Sequence, residues 1–207
     1  MFANAVILAA SALFGAQEDR VRPLTNAPST LGSADEEIRS LAMNLDSAIK
    51  VCSEEMLRAA TGQKAIGKAE KTALDNGLLA WIHDPSKRLV ELAKGKPARF
   101  GQWFDPHAKI IVIAYETTPT CRILVGDSPW ASAVRPTLYA KIQDDNFWKS
   151  DGPEQPFEAE SVRATFHANV PGKAKVQPMI SIAAPVSPAA GQTQLSIGVH
   201  LVVEGKK

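Results

Sequence analysis

The chain has 207 residues, 45% of them hydrophobic and 22% charged, a balance typical of globular domains and far from that of a disordered or lipid-immersed chain. Lys and Arg number 23 against 22 Asp and Glu, so no general field draws in a phosphate backbone or an anionic lipid surface, and nucleic acid is not an expected partner. The length suits one large domain, and the apolar pattern indicates one core.

The opening stretch MFANAVILAASALFGA is an apolar run of small and aliphatic residues, ended by Gln17, Glu18, Asp19 and Arg20. That is the outline of a signal peptide over residues 1–16, although no Lys or Arg precedes it and bulky Phe14 stands near the cleavage point. A buried N-terminal helix of a cytosolic protein is the alternative. The run falls short of the about 20 apolar residues of a membrane-spanning helix, so no permanent span is expected. Residues 17–32, polar and interrupted by Pro23 and Pro28, read as a flexible linker, leaving 33–207 as one α+β domain. A periplasmic or secreted location follows, and in an oxidising compartment Cys52 and Cys121 are expected to pair.

Ser33 followed by Glu36 is the pattern that satisfies the first amides of a helix. Ile38, Leu41, Leu45, Ile49, Cys52 and Met56 then repeat at three- and four-residue spacing until Gly62, which predicts one long amphipathic helix with Cys52 on its core face. Shorter helices are expected at about 64–76 and 86–94, closed by glycines. Alternation or short apolar runs then predict strands at 99–104, 109–116 and 120–125, with Asp105-Pro106 and Thr118-Pro119 as turns. Pro129 suits the first turn of a helix over 130–143, after which a polar loop, 144–156, carries Phe147 and Trp148. Three more strands are expected at 157–170, 175–184 and 194–204. The fold class is α+β: N-terminal helices, one of them long, on a mainly antiparallel sheet of about five to six strands, with a helix between the two strand groups.

Chemistry is thinly signalled. There is no glycine-flanked nucleophile, no phosphate loop and no cofactor motif. Asp144, Asp145, Asp151 and Glu154 lack calcium-loop alternation and read as a solvated loop. His83-Asp84 and Asp105 with His107 each end an aromatic-rich stretch at an Asp-Pro turn, and together they form the candidate site of a metal-dependent hydrolase. His167 and His200 fall in cleanly alternating strands, on the face opposite the core. A tight turn at 170–175 would bring Gln177 opposite both, giving a polar row His167, Gln177 and His200 extended by Arg163, able to hold a small polar ligand or meet another envelope protein. The leading expectation is an exported, non-enzymatic protein- or ligand-binding module without cofactor or metal. The alternatives are that hydrolase and a structural envelope protein.

Overall fold

The computed structural model of the chain describes residues 33–157, 161–169, 176–186 and 193–203. The segments read as signal peptide and linker lie outside the described residues. Helix α1 runs from Ala34 to Thr61. Its first turn carries Asp35, Glu36 and Glu37 against the positive helix end, and the Ser33 amide donates to Glu36 Oε2 at 3.1 Å. It stops where Gly62 takes a left-handed conformation, φ 69°, and returns its amide to the Arg58 carbonyl.

Helices α2 (Lys68–Asp75), α3 (Lys87–Leu92) and α4 (Val134–Asp144) are short. The strands are β1 (Leu79–Ile82), β2 (Ala98–Asp105), β3 (Ala108–Tyr115), β4 (Thr120–Gly126), β5 (Trp148–Ser150), β6 (Gln155–Pro156), β7 (Ser161–Ala168), β8 (Val176–Pro185) and β9 (Thr193–Val203). They form one antiparallel sheet of nine strands in the order β1-β2-β3-β4-β9-β8-β7-β5, with β6 also on β7. The α+β architecture matches expectation; the sheet exceeds five to six strands because β1, β5 and β6 are only four, three and two residues long, too short to show alternation.

Two meanders, β1 to β4 and β7 to β9, join through the β4–β9 pairing. The inner face is largely apolar: Val112, Ile123, Ile197, Ile180 and Phe166, from five successive strands, pack with Leu41, Leu45, Ile49 and Met56 of α1. Leu78, beside β1, and Trp148 of β5 stand at opposite ends of the strand order yet line the same cavity. The sheet therefore curls round α1, and this explains why α1 buries Ala48 and Val51 in addition to its predicted stripe. On the outer face, Leu89 and Leu92 of α3 cover Phe100, Ile113 and Leu124 of β2 to β4. Among the described residues no helix is long and apolar enough to cross a membrane.

Cys52 of α1 and Cys121 of β4 form a disulfide, their Cα atoms 5.2 Å apart and both side chains fully buried. The bridge spans 69 residues. On the chain-entropy model, closing a loop of that length stabilises the fold by about 4 kcal/mol. Replacing both cysteines by Ala is expected to lower the unfolding free energy in urea by about that amount. An unchanged midpoint for the double variant would refute a stabilising role for the bond.

Candidate functional site

A cavity of about 490 Å³ lies between α1, α2, the end of α4 and the start of β5. Ile49, Ala73, Leu78, Trp103, Ile142 and Trp148 supply its apolar wall. The exposed side chains of Lys50, Lys68, Asp145 and Phe147 mark its opening. Phe147 meets Trp148 edge to face, ring centroids 5.0 Å apart, so the aromatic pair in the polar loop forms one lip. At the rim Lys50 donates to Asp46 at 2.9 Å, and this bond, aided by the charges of Asp46 and Asp145, holds the ammonium above its ordinary value despite partial burial.

Trp103 gives the wall its one unusual feature. The residue is 1% exposed and its indole Nε1 is buried without a hydrogen-bond partner. The indoles of Trp81 and Trp130, by contrast, donate to Glu70 and Glu37, each at 2.8 Å. A buried donor left unmade costs about 1–3 kcal/mol, so this strand position is not optimised for packing alone.

Beside the cavity, α2 is fastened by acids. Both oxygens of Glu54 accept amides at the start of α2, from Ala69 at 2.8 Å and from Glu70 at 3.0 Å. The approach requires Gly67, where a Cβ would lie 2.1 Å from the Glu54 carboxylate. Behind this cap, Glu55 and Glu70, 4% and 0% exposed, meet Arg58 and Arg99. Arg58 and Arg99 converge on Glu55 Oε2, while Glu70 Oε1 accepts from Arg99 at 3.0 Å and from Trp81. The Arg99 guanidinium stacks 3.9 Å over the Trp81 ring, and Gly101 leaves that ring its room, since a Cβ there would come within 3.2 Å of it.

Glu70 Oε2 is buried and receives no N–H donor. Burial and the hydrogen bond to Glu70 push Glu55 above the usual carboxylate range. Burial also pushes Glu70 upward, but the hydrogen bonds from Glu55, Arg99 and Trp81 together outweigh it and hold Glu70 low. The two carboxyls are thus pushed in opposite directions, Glu55 up and Glu70 down.

The outer-face row departs from expectation in register. Met179, not Gln177, stands opposite both His167 and His200. Gln177 faces Val202, two residues along. A two-residue offset keeps every side chain on its face, so alternation is right where the turn geometry assumed for pairing is not. His167 pairs through Nδ1 with the Asp151 carboxylate, and His167, Gln177 and Met179 line a second recess of about 420 Å³. His200 lies beyond Met179, and burial, then the Arg163 charge, holds it below its ordinary value. Arg163, paired with Ala183, stands two pleats from His167 with its guanidinium 3.2 Å over the Phe157 ring. His167 and Gln177 thus share a recess that neither His200 nor Arg163 lines, although Gln177 stands the same two residues out of register with both histidines.

The proposed hydrolase residues are also separated. His83 and Asp84 follow the end of β1 that pairs with Phe100, whereas Asp105 and His107 are at the other end of β2, roughly 20 Å away at strand rise. Asp105 accepts from Asn44 at 2.6 Å and from the His107 amide at 2.8 Å, so it ties α1 to the β2–β3 turn. Glu154 of the loop acids accepts from Arg135 and Tyr139. Among the described residues no three His, Cys, Asp or Glu side chains are close enough to hold a metal ion.

No family model matches the chain, and no curated protein or solved structure is significantly similar to it. The assignment of opposite shifts to Glu55 and Glu70 has a direct test. Raised Glu55 contributes stability that is present below its unfolded value and lost as pH rises through its folded value; lowered Glu70 contributes stability lost as pH falls through its own. Glu55→Gln, which keeps a neutral donor, is expected to remove the loss seen in the wild type as pH is raised above the ordinary carboxylate range. Glu70→Gln should cost about 2 kcal/mol by weakening the acceptor for Arg99 and Trp81. Urea unfolding across pH measures both, and equal costs for the two substitutions would refute the assignment.

Proposed function

We propose that the protein is an exported, non-enzymatic binding module that takes up a small, predominantly apolar molecule in the cavity bounded by α1, α2, α4 and β5. The observation that carries this is a largely apolar recess of about 490 Å³, open to solvent, whose wall is built from residues of the core. Its size lies within the range of small-molecule sites, and recesses of this kind with one or two placed polar groups are the usual form of such sites. The site expected from the sequence, the His167 and His200 face, is a weaker candidate. His167 is already engaged by Asp151, and Met179 intervenes before His200.

Export is supported by the buried Cys52–Cys121 bond, because disulfides persist in oxidising compartments. Intact-mass measurement of the protein recovered from its native compartment is expected to show loss of residues 1–16 and thiol alkylation only after reduction. A retained leader with alkylatable cysteines would remove this part of the proposal.

For binding, the neutral apolar dye N-phenyl-1-naphthylamine is expected to bind in one saturable step with enhanced, blue-shifted emission. Ala69→Trp places a ring in the recess from α2 and should weaken the dye by about tenfold or more, leaving the circular dichroism unchanged. Equal dye affinity in the variant, or no saturable binding to the wild type, would sink the proposal.

A further inference from the structure

Granting that the cavity is a binding site, we infer that its occupant is uncharged and bears a hydrogen-bond acceptor, such as a ketone or ester carbonyl, which it presents to the indole N–H of Trp103. Among the described residues lining the cavity, Trp103 is the one with a buried polar atom lacking a partner, and because water does not reach that nitrogen, an occupant meets it where the indole turns or the wall gives way. An apolar occupant without an acceptor would leave that N–H unmade in the bound state as well, so acceptor-bearing molecules gain a bond that hydrocarbons of equal size cannot form.

The charges around the opening argue against an ionic occupant. Three carboxylates, Asp46, Glu54 and Asp145, stand against the two ammonium groups of Lys50 and Lys68. Lys50 is held by Asp46 at 2.9 Å, and Lys68 is exposed to solvent, where an ion pair is screened and weak. An anion entering the recess would therefore lose water without gaining an unengaged cation at depth. A cation would meet the acidic rim but find only a donor, the Trp103 N–H, inside. A neutral carbonyl accepts from that donor at the smallest desolvation cost.

Three molecules of matched size separate these cases: 4-phenyl-2-butanone, butylbenzene and 4-phenylbutyrate. Each is titrated against the full chain by displacement of N-phenyl-1-naphthylamine. The ketone is expected to bind about tenfold tighter than the carboxylate. Trp103→Phe should weaken the ketone about tenfold while changing butylbenzene by less than about twofold. Because that variant could misfold, a second readout uses the unaltered protein labelled with ¹⁵N-tryptophan. There the Trp103 indole resonance should move downfield with saturating ketone and not with butylbenzene. Phenylbutyrate binding as tightly as the ketone, or a Trp103 resonance indifferent to the ketone, would overturn the inference. Dye bound but undisturbed by all three molecules would overturn it too, whereas a dye that never binds would instead remove the underlying proposal of a binding cavity.

Discussion

The bond between Cys52 and Cys121 fixes how α1 is turned against the sheet. With the Cys52 side chain directed at β4, a rotation of about 100° per residue puts Glu55 about 60° round one flank and Ile49 about 60° round the other. The first flank faces β2, where Arg99 and Asp105 project toward the helix and engage Glu55 and Asn44. The second faces α4. Ser47 and Lys50 fall on the back of the helix, away from β4, and it is there that the cavity opens. The covalent tie thus decides which of the helix's polar residues enter the interior and which border the recess.

Two buried polar atoms lack ordinary partners near the recess, the Trp103 indole nitrogen and Glu70 Oε2. Both belong to the small region around α2. That helix has little apolar grip of its own: Ala73 is buried and Ala69 and Leu74 are partly so. Its position is set by polar ties, the Glu54 cap on its amides and the Glu55, Glu70 and Arg99 cluster behind it. Local departures from satisfied packing gather where a fold has been shaped by something other than stability; here the Trp103 nitrogen belongs to a residue of the cavity wall and Glu70 Oε2 to the cluster behind it.

Much of this architecture could be anticipated from the residues, and the failures have physical causes. Ser33 with Glu36, the α1 stripe and the strict alternation of Ala164, Phe166, Ile180, Ile182, Ile197 and Val199 each express one dominant force, so the long helix and the inner sheet face were legible. Glu55 and Glu70 were not, because a carboxylate on a helix ordinarily faces water, and only the approach of β2 makes burial tolerable by bringing Arg99. Trp103 sat in a stretch whose Asp-Pro ending explained it adequately. That its N–H lacks an acceptor depends on the placement of α1, which no local pattern encodes. Pairing Gln177 with both histidines failed because strand alternation fixes the face of a residue but turn length fixes its partner. The cavity lies between segments separated by up to about half the chain, and it follows from the curl of the sheet.

That the recess stays open follows from how its walls are held. Cavities lined by side chains that can relax tend to collapse, and the energetic cost of an unfilled space depends on how far the surroundings can move. Here α1 is fixed by the disulfide near its middle and by Asn44–Asp105 and Glu55–Arg99 on the β2 side. Ile142 is carried by α4, whose neighbours Val134 and Leu138 are fully buried, while Trp148 is held in register with Ala168 of β7. Neither α1 nor β5 can move into the space without breaking a covalent bond, a buried polar tie or a strand pairing, and α4 cannot without exposing Val134 and Leu138. The helix α2 is tied to the sheet through the bonds that Glu70 accepts from Arg99 and Trp81 but buries little apolar surface, so adjustment of the cavity to an occupant falls most readily on α2, through the carboxylates that hold it.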